Sequence, residues 1–163
     1  MISMIHHLAE KQTAGLPEQE RAERLTVVGE ALSWLNTPYH HMGRLKGVGV
    51  DCGMFFVEVM EAVGVIDHYV PEAYPPDWHL HRGEQVYRGH VEKLGFVKVE
   101  REPLPGDLVL YQFGRCSSHG AIVLAWPYVI HSYVNMGVIY GVNGESPLDA
   151  DRLTGCWTKW GAV

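Results

Sequence analysis

The chain changes texture near its middle, and that change limits the folds open to it more than any other feature. Before about residue 94 apolar residues recur at helical steps, Leu25, Val28, Leu32 and Leu35 in one segment and Phe55, Phe56, Val59 and Val63 in another. Beyond it come short β-branched or aromatic runs punctuated by Gly and Pro, at 96–100, 107–113, 119–125, 129–134, 138–142 and 156–160. Helices first and strands afterwards is the α+β pattern, with an antiparallel sheet packed on the N-terminal helices. A length of 163 residues suits a single domain, 1–163, large enough to bury most of its unfolded surface without disulfides. Residues 1–23 read as an N-terminal extension of it.

Punctuation places the remaining elements. A short apolar stripe, Met1, Met4, Ile5 and Leu8, precedes a turn at 13–17, and Pro17 opens the first long helix. The acidic run from Glu18 to Glu23 reads as its solvated face, and Asn36-Thr37-Pro38 stops it. Residues 39–51 hold Gly43, Gly47 and Gly49 without any period, which predicts an ordered loop where backbone approaches something closely. Cys52 then opens a buried helix that Gly64 closes. The stretch 67–78, with Pro71, Pro75 and Pro76, is expected to wrap the surface, and an amphipathic helix is expected over 82–94.

Composition excludes several classes. Apolar residues at 47% and charged residues at 20% rule out disorder. Nineteen acidic against thirteen basic side chains give a net charge of -6, the wrong sign for a nucleic-acid surface. The longest apolar run, 121–130, is too short to span a bilayer, so no membrane insertion is expected. His6, His7 and Glu10 interrupt the start where a secretion signal needs a clean apolar core, so synthesis and first folding are expected in the cytoplasm. Cys52, Cys116 and Cys156 are too few and too odd for a disulfide framework, and each is filler, metal ligand or nucleophile.

Cys52 stands apart because a thiol at a helix N-terminus meets unpaired N–H groups and the positive end of the helix dipole, which favour thiolate. A nucleophilic thiol needs a base, and two of the ten histidines are placed to serve together. His119 begins one strand and His131 lies in the next, with Trp126-Pro127 between them. A hairpin centred on Trp126 sets His131 opposite Ala121 and diagonal to His119, on one face, so one imidazole orients the other. That is triad logic: Cys52 as nucleophile, His119 as base, and His131 on the far nitrogen of His119. A metal reading draws on Cys116 with His119 and on His79 with His81, but no second ligand pair completes a zinc signature, and no metal or other cofactor is expected.

Taken in order, Tyr39 with Gly43, Asp51-Cys52-Gly53 opening a helix, Leu104-Pro105-Gly106-Asp107-Leu108-Val109, His119-Gly120-Ala121-Ile122-Val123 and then His131 resemble the NlpC family of papain-like cysteine peptidases. The resemblance spans about residues 24–134. It implies a papain-like core and hydrolysis of peptide bonds in cell-wall stem peptides, between γ-linked D-glutamate and a diamino acid. It also implies catalytic roles for Cys52, His119 and His131, with Tyr39 near the oxyanion. The peptidoglycan stem peptide is then the partner, with Asp51, His41, Gly53 and Ser118 on its binding side. The segment 71–78 is similar to what phage and prophage tail-associated members carry there, which implies delivery to the wall within a tail, among tail proteins.

The chain departs from the family pattern in two places. Asp51-Cys52-Gly53-Met54 replaces the common Asp-Cys-Ser-Gly, and Tyr39-His40-His41-Met42-Gly43 replaces Tyr-x-Trp-Gly-Gly, altering one pocket wall. Two rival readings follow: an amidase or acyltransferase using the same triad, and a structural tail protein whose site is relict.

Overall fold

Pro17 caps the long helix, and Glu18 and Glu20 sit in its first turn, where the helix dipole favours carboxylates. The computed structural model describes residues 1–74, 86–114 and 116–161, with the backbone alone for 116–118. Four α-helices lie among them: α1 (Ile2–Thr13), α2 (Glu18–Leu32), α3 (Cys52–Ala62) and α4 (Val86–Lys93). The helix expected over 82–94 is described from Val86 onward, and 75–85, with the end of the expected surface stretch, lies outside the described residues. None of the described helices is long and apolar enough to cross a membrane.

Eight strands lie among the described residues. The segment read as a loop at 39–51 contains a small antiparallel pair, β1 (Arg44–Leu45) with β2 (Gly49–Val50). Its glycines are required by close approach: a Cβ on Gly43 would lie 2.6 Å from the Gly49 carbonyl oxygen. The main sheet holds β3 (Val97–Val99), β4 (Leu108–Phe113), β5 (Cys116–Ala125), β6 (Tyr128–Tyr133), β7 (Gly137–Val142) and β8 (Leu153–Thr158), in the order β3-β8-β4-β5-β6-β7. Every pairing in it is antiparallel. The last strand inserts between β3 and β4, an arrangement that no local signal announces.

Period-2 alternation divides the sheet into two faces. Leu108, Leu110, Ile122, Leu124, Ile130 and Trp157 pack with the helices, while Val109, Tyr111, Val123, Val129 and Cys156 pack with Leu148 on the other side. Helix α3, buried through Met54, Phe55, Phe56, Val59 and Met60, lies against β5 and β6. Helix α1 lies against α2 and β5, and Gln12 exchanges two hydrogen bonds of 2.9 Å with the backbone of Trp126 at the β5–β6 turn. Its buried stripe is Ile5, Ala9 and Thr13, whereas Met1 and Met4 of the apolar stripe read from the sequence are exposed.

The α2 stripe is shifted relative to expectation. Leu25 and Leu35 are only partly buried, because Arg24 takes the inward position beside Val27, Val28 and Ala31. The Arg24 guanidinium donates to Asp107 Oδ1 at 2.8 Å, to the Pro105 carbonyl at 2.9 Å and to Glu20 Oε1 at 2.8 Å. Glu20 therefore belongs to a buried ionic network rather than to a plain solvated face, and Glu23 accepts from Trp160 Nε1 at 2.7 Å. Asp107 also accepts from Arg101 and from the Leu104 N–H. Burial alone would raise its carboxyl, but these partners hold it below the usual range. The Pro105-Gly106-Asp107 turn thus pins α2 to the sheet; Gly106 has φ +86°, and a Cβ there would lie 3.3 Å from the Trp160 ring.

Candidate active site

Asp51 organises the start of α3. It is the N-cap, its Oδ1 accepting the Met54 N–H at 2.8 Å, and Cys52 follows as the first helical residue. The approach to Cys52 is held from two sides. Val50 donates to the Pro38 carbonyl at 3.0 Å, and the Val50 carbonyl accepts from Ser132 Oγ at 2.7 Å. Ser132 directly follows His131, so one hydrogen bond ties the nucleophile's lead-in to the strand of the second histidine.

The histidine hairpin forms in the expected register. Ile122 pairs with Ile130 and Val123 with Val129, and the same register sets His131 across from Ala121. The turn differs: Trp126-Pro127 is a two-residue connection, and a bulge after Val123 supplies the odd residue that a longer loop was expected to provide. His119 Nε2 and His131 Nδ1 lie 2.7 Å apart, with the rings nearly perpendicular. His119 is 7% exposed and His131 1%. Burial, and then the neighbouring His131, pushes His119 well below the ordinary imidazole range, while burial lowers His131 to about 4. Both rings are neutral at neutral pH. Phe113 and Tyr133, which the sequence did not single out, pack edge-on against His119.

Cys52 meets this pair through the residue after His119. The N–H groups of Gly120, Gly53 and Cys52 itself are directed at the sulfur and favour its anion. They do not prevail at rest: burial first, and then the Asp51 charge, push the thiol up to about 12. The helix terminus favours thiolate as expected of its N–H groups, but burial and Asp51 outweigh it. The carboxylate that caps the helix sets a negative charge beside the sulfur, against the dipole. Tyr39 lines the same cavity as Cys52, and its hydroxyl stays protonated because burial, Cys52 and Asp51 all raise it.

Two tyrosines escaped the sequence reading. Tyr87 of α4 donates to the Cys52 carbonyl at 3.2 Å, and a Cβ on Gly120 would lie 2.3 Å from its hydroxyl oxygen, so any larger residue there would have to push the Tyr87 ring aside. Tyr74 donates to Asp51 Oδ2 at 2.6 Å, beside the Met42 N–H at 2.8 Å. Asp51 is thus engaged on both oxygens and 2% exposed, and a substrate reaches it only if Tyr74 leaves. His41 Nε2 donates to the Tyr74 carbonyl at 2.7 Å. Only a segment with a tyrosine at this point, far along the chain from Asp51, produces these contacts, and no motif signals it.

Of the residues singled out beforehand, Tyr39, His41, Asp51, Cys52 and Gly53 line one cavity, and the His119–His131 pair adjoins it through Gly120. The side chains of Ser118 and Cys116, and all of His79 and His81, lie outside the described residues. Among the described residues no three His, Cys, Asp or Glu side chains cluster as metal ligands.

Comparison with solved structures places the same architecture elsewhere. The NlpC/p60 domain of the peptidoglycan hydrolase SagA matches with a TM-score of 0.55 and 20% identity, over 83% of this chain and 97% of that one. An NlpC/P60 family protein from Bacillus cereus matches with a TM-score of 0.58 and 20% identity, over 82% of this chain and 39% of that one. A lipoprotein-like NLP/P60 protein from Staphylococcus aureus matches at 0.57 and 18%, over 87% of this chain and 42% of that one. The chain spans less than half the length of these last two. No curated protein sequence matches it significantly. At these identities the structures establish a shared papain-like α+β fold. The sequence model of the NlpC/P60 family matches residues 36–154, which takes in Tyr39, Cys52, His119 and His131, and the chain belongs to that family.

Proposed function

We propose that this protein is a cysteine peptidase that hydrolyses peptidoglycan stem peptides through a thioester on Cys52. The observation that carries the reading is the buried 2.7 Å contact between His119 Nε2 and His131 Nδ1, on the strand whose Gly120 N–H is directed at the Cys52 sulfur. With Nε2 donating to His131, Nδ1 of His119 is left as the acceptor for the thiol proton. Because the thiol is neutral at rest, attack and proton transfer proceed together as general base catalysis. The sulfur bonds to the scissile carbonyl carbon, and the oxyanion meets the Cys52 N–H and the Tyr39 hydroxyl. His119 then gives its proton to the leaving amine and activates the water that releases the product.

The finer parts of the reading are the bond, between γ-D-glutamate and a diamino acid, and delivery within a phage or prophage tail. Both rest on the family resemblance described above. Incubating wild type and Cys52→Ala with purified peptidoglycan fragments and weighing the products tests the reaction and the bond at once. Wild type alone should split stem peptides; equal product from both proteins, or none from either, defeats it. Recovery of the chain with purified tail particles tests the delivery.

A further inference from the structure

His119 is approached from two sides of the sheet. The cavity at Cys52 lies on one of them, lined by Tyr39, Asp51 and residues of α3 and α4. On the other side Phe113 packs with the core cluster turned away from the helices, and its ring stands edge-on to His119 at 5.2 Å between centroids. Tyr133 lies 6.5 Å from Phe113 and 5.8 Å from His119. Both rings are partly exposed, so they form an aromatic shelf beside the base. Arg152 ends this shelf, its guanidinium 4.9 Å above the Phe113 ring. Its Nε donates to Asp149 Oδ2 at 3.3 Å. Among the described residues its two terminal nitrogens have no hydrogen-bond partner, and the side chain is 42% exposed. The planar fork that matches a carboxylate is therefore unused.

We propose that this shelf receives the amino acid that leaves when the thioester forms, and that Arg152 binds a carboxylate on it. The proposal rests on Cys52 and His119 acting as described under the proposed function. The acyl carbon is bonded to sulfur, so the leaving nitrogen has to come within hydrogen-bond reach of His119, which gives it a proton. The residue that begins at this nitrogen extends from His119 along Phe113 and Tyr133, whose rings bury its methylenes. One aromatic ring separates His119 from the guanidinium, so a carboxylate on the leaving residue, at its backbone or at the end of its side chain, meets Arg152. In a chain of net charge -6 a cation at this rim also offsets repulsion of an anionic peptide.

The test uses the full chain and three peptides that share an L-alanyl-γ-D-glutamyl acyl part and differ in the leaving residue. One carries lysine with a free α-carboxylate, one lysine α-amide, and one diaminopimelate α-amide, whose side chain ends in a carboxylate. In kcat/KM at least one carboxylate-bearing peptide should exceed the lysine amide by about fivefold, the upper range for an exposed ion pair. Which of them does so distinguishes the backbone carboxylate from the side-chain one. In Arg152→Gln the ratio should fall to about one. Equal rates on all three peptides, or a ratio unchanged in Arg152→Gln, overturns the proposal. Where wild type cuts none of them, calorimetric titration into Cys52→Ala, with and without Arg152→Gln, separates the two readings. An Arg152-dependent preference in binding then removes the thiol reaction and keeps the subsite, whereas no binding, or binding without preference, removes the subsite.

Discussion

Two buried aspartates, Asp107 and Asp51, each sit at a turn that leads into a core element, and their surroundings are opposite. Asp107 is met by two guanidinium groups, Arg24 and Arg101, which offset its charge, so that it acts on the neighbouring Cys156 thiol alongside two compensating cations. Asp51 is met by two backbone N–H groups and a tyrosine hydroxyl, all neutral, with His41 Nδ1 at 3.8 Å. Its field therefore reaches outward and contributes to raising Cys52, Tyr39, Tyr74 and Tyr87. The same residue type pins the fold in one place and sets the protonation of a reactive cluster in the other. What differs is whether the compensating groups carry charge.

The comparison can be broken most directly at Asp107. Asp107→Asn takes from the wholly buried Arg24 its buried counter-charge, leaving Glu20 at the rim, and should cost about 3–5 kcal/mol in urea unfolding. A cost under about 1 kcal/mol would mean that Arg24 finds another partner, and the contrast with Asp51 would lapse.

Acid titration sharpens it next. Folded His131 takes a proton near 4, whereas an unfolded histidine takes one near 6.5. Between those values the unfolded state binds more protons, so stability is complete above about pH 6.5 and falls toward pH 4, by about 3 kcal/mol. Asp107, held below its ordinary range, keeps its contribution above that range and loses it only as pH falls further, through its lowered folded value. Unfolding curves at several pH values should show the loss near the histidines first, and His131→Gln should flatten it.

Tyr39→Phe removes a hydroxyl kept protonated beside Cys52 and should slow stem-peptide turnover about a hundredfold. Unchanged turnover would take Tyr39 out of the oxyanion site. Asp51→Asn is the mildest change. Asparagine still caps the helix, but its amide nitrogen cannot accept from Met42 and Tyr74 as Asp51 Oδ2 does, so unfolding should cost about 1–3 kcal/mol. Yet the Cys52 thiol should ionise at lower pH, read as faster iodoacetamide labelling at mildly alkaline pH. An unmoved labelling profile would show that the Asp51 charge does not reach the sulfur.

Much of the fold was legible in local patterns because the patterns are themselves the physics of burial. The six strand segments of the main sheet appear, with β5 beginning at Cys116 rather than His119 and the last strand at Leu153 rather than Cys156, and the Cys52 helix with its Gly64 terminus at φ +74° and the Pro17 start of α2 appear as expected. The register that brings His119 to His131 follows from a period of two across a tight hairpin. Arg24 was not legible, since a charged residue within an apolar stripe looks like a surface position until Asp107, far along the chain, is brought beside it. Tyr74 and Tyr87 were hidden for the same reason: their partners, Asp51 and the Cys52 backbone, lie 23 and 35 residues away.

The amino-acid order alone determined the element types, the helix-terminal position of Cys52 and the shared face of the two histidines, because each depends on periodicity or on a capping residue within a few positions. Tertiary structure decided the insertion of β8 between β3 and β4, the closure of Tyr74 over Asp51 and the protonation of the thiol. These depend on desolvation and on charges that meet only when remote segments pack, and a linear pattern contains neither.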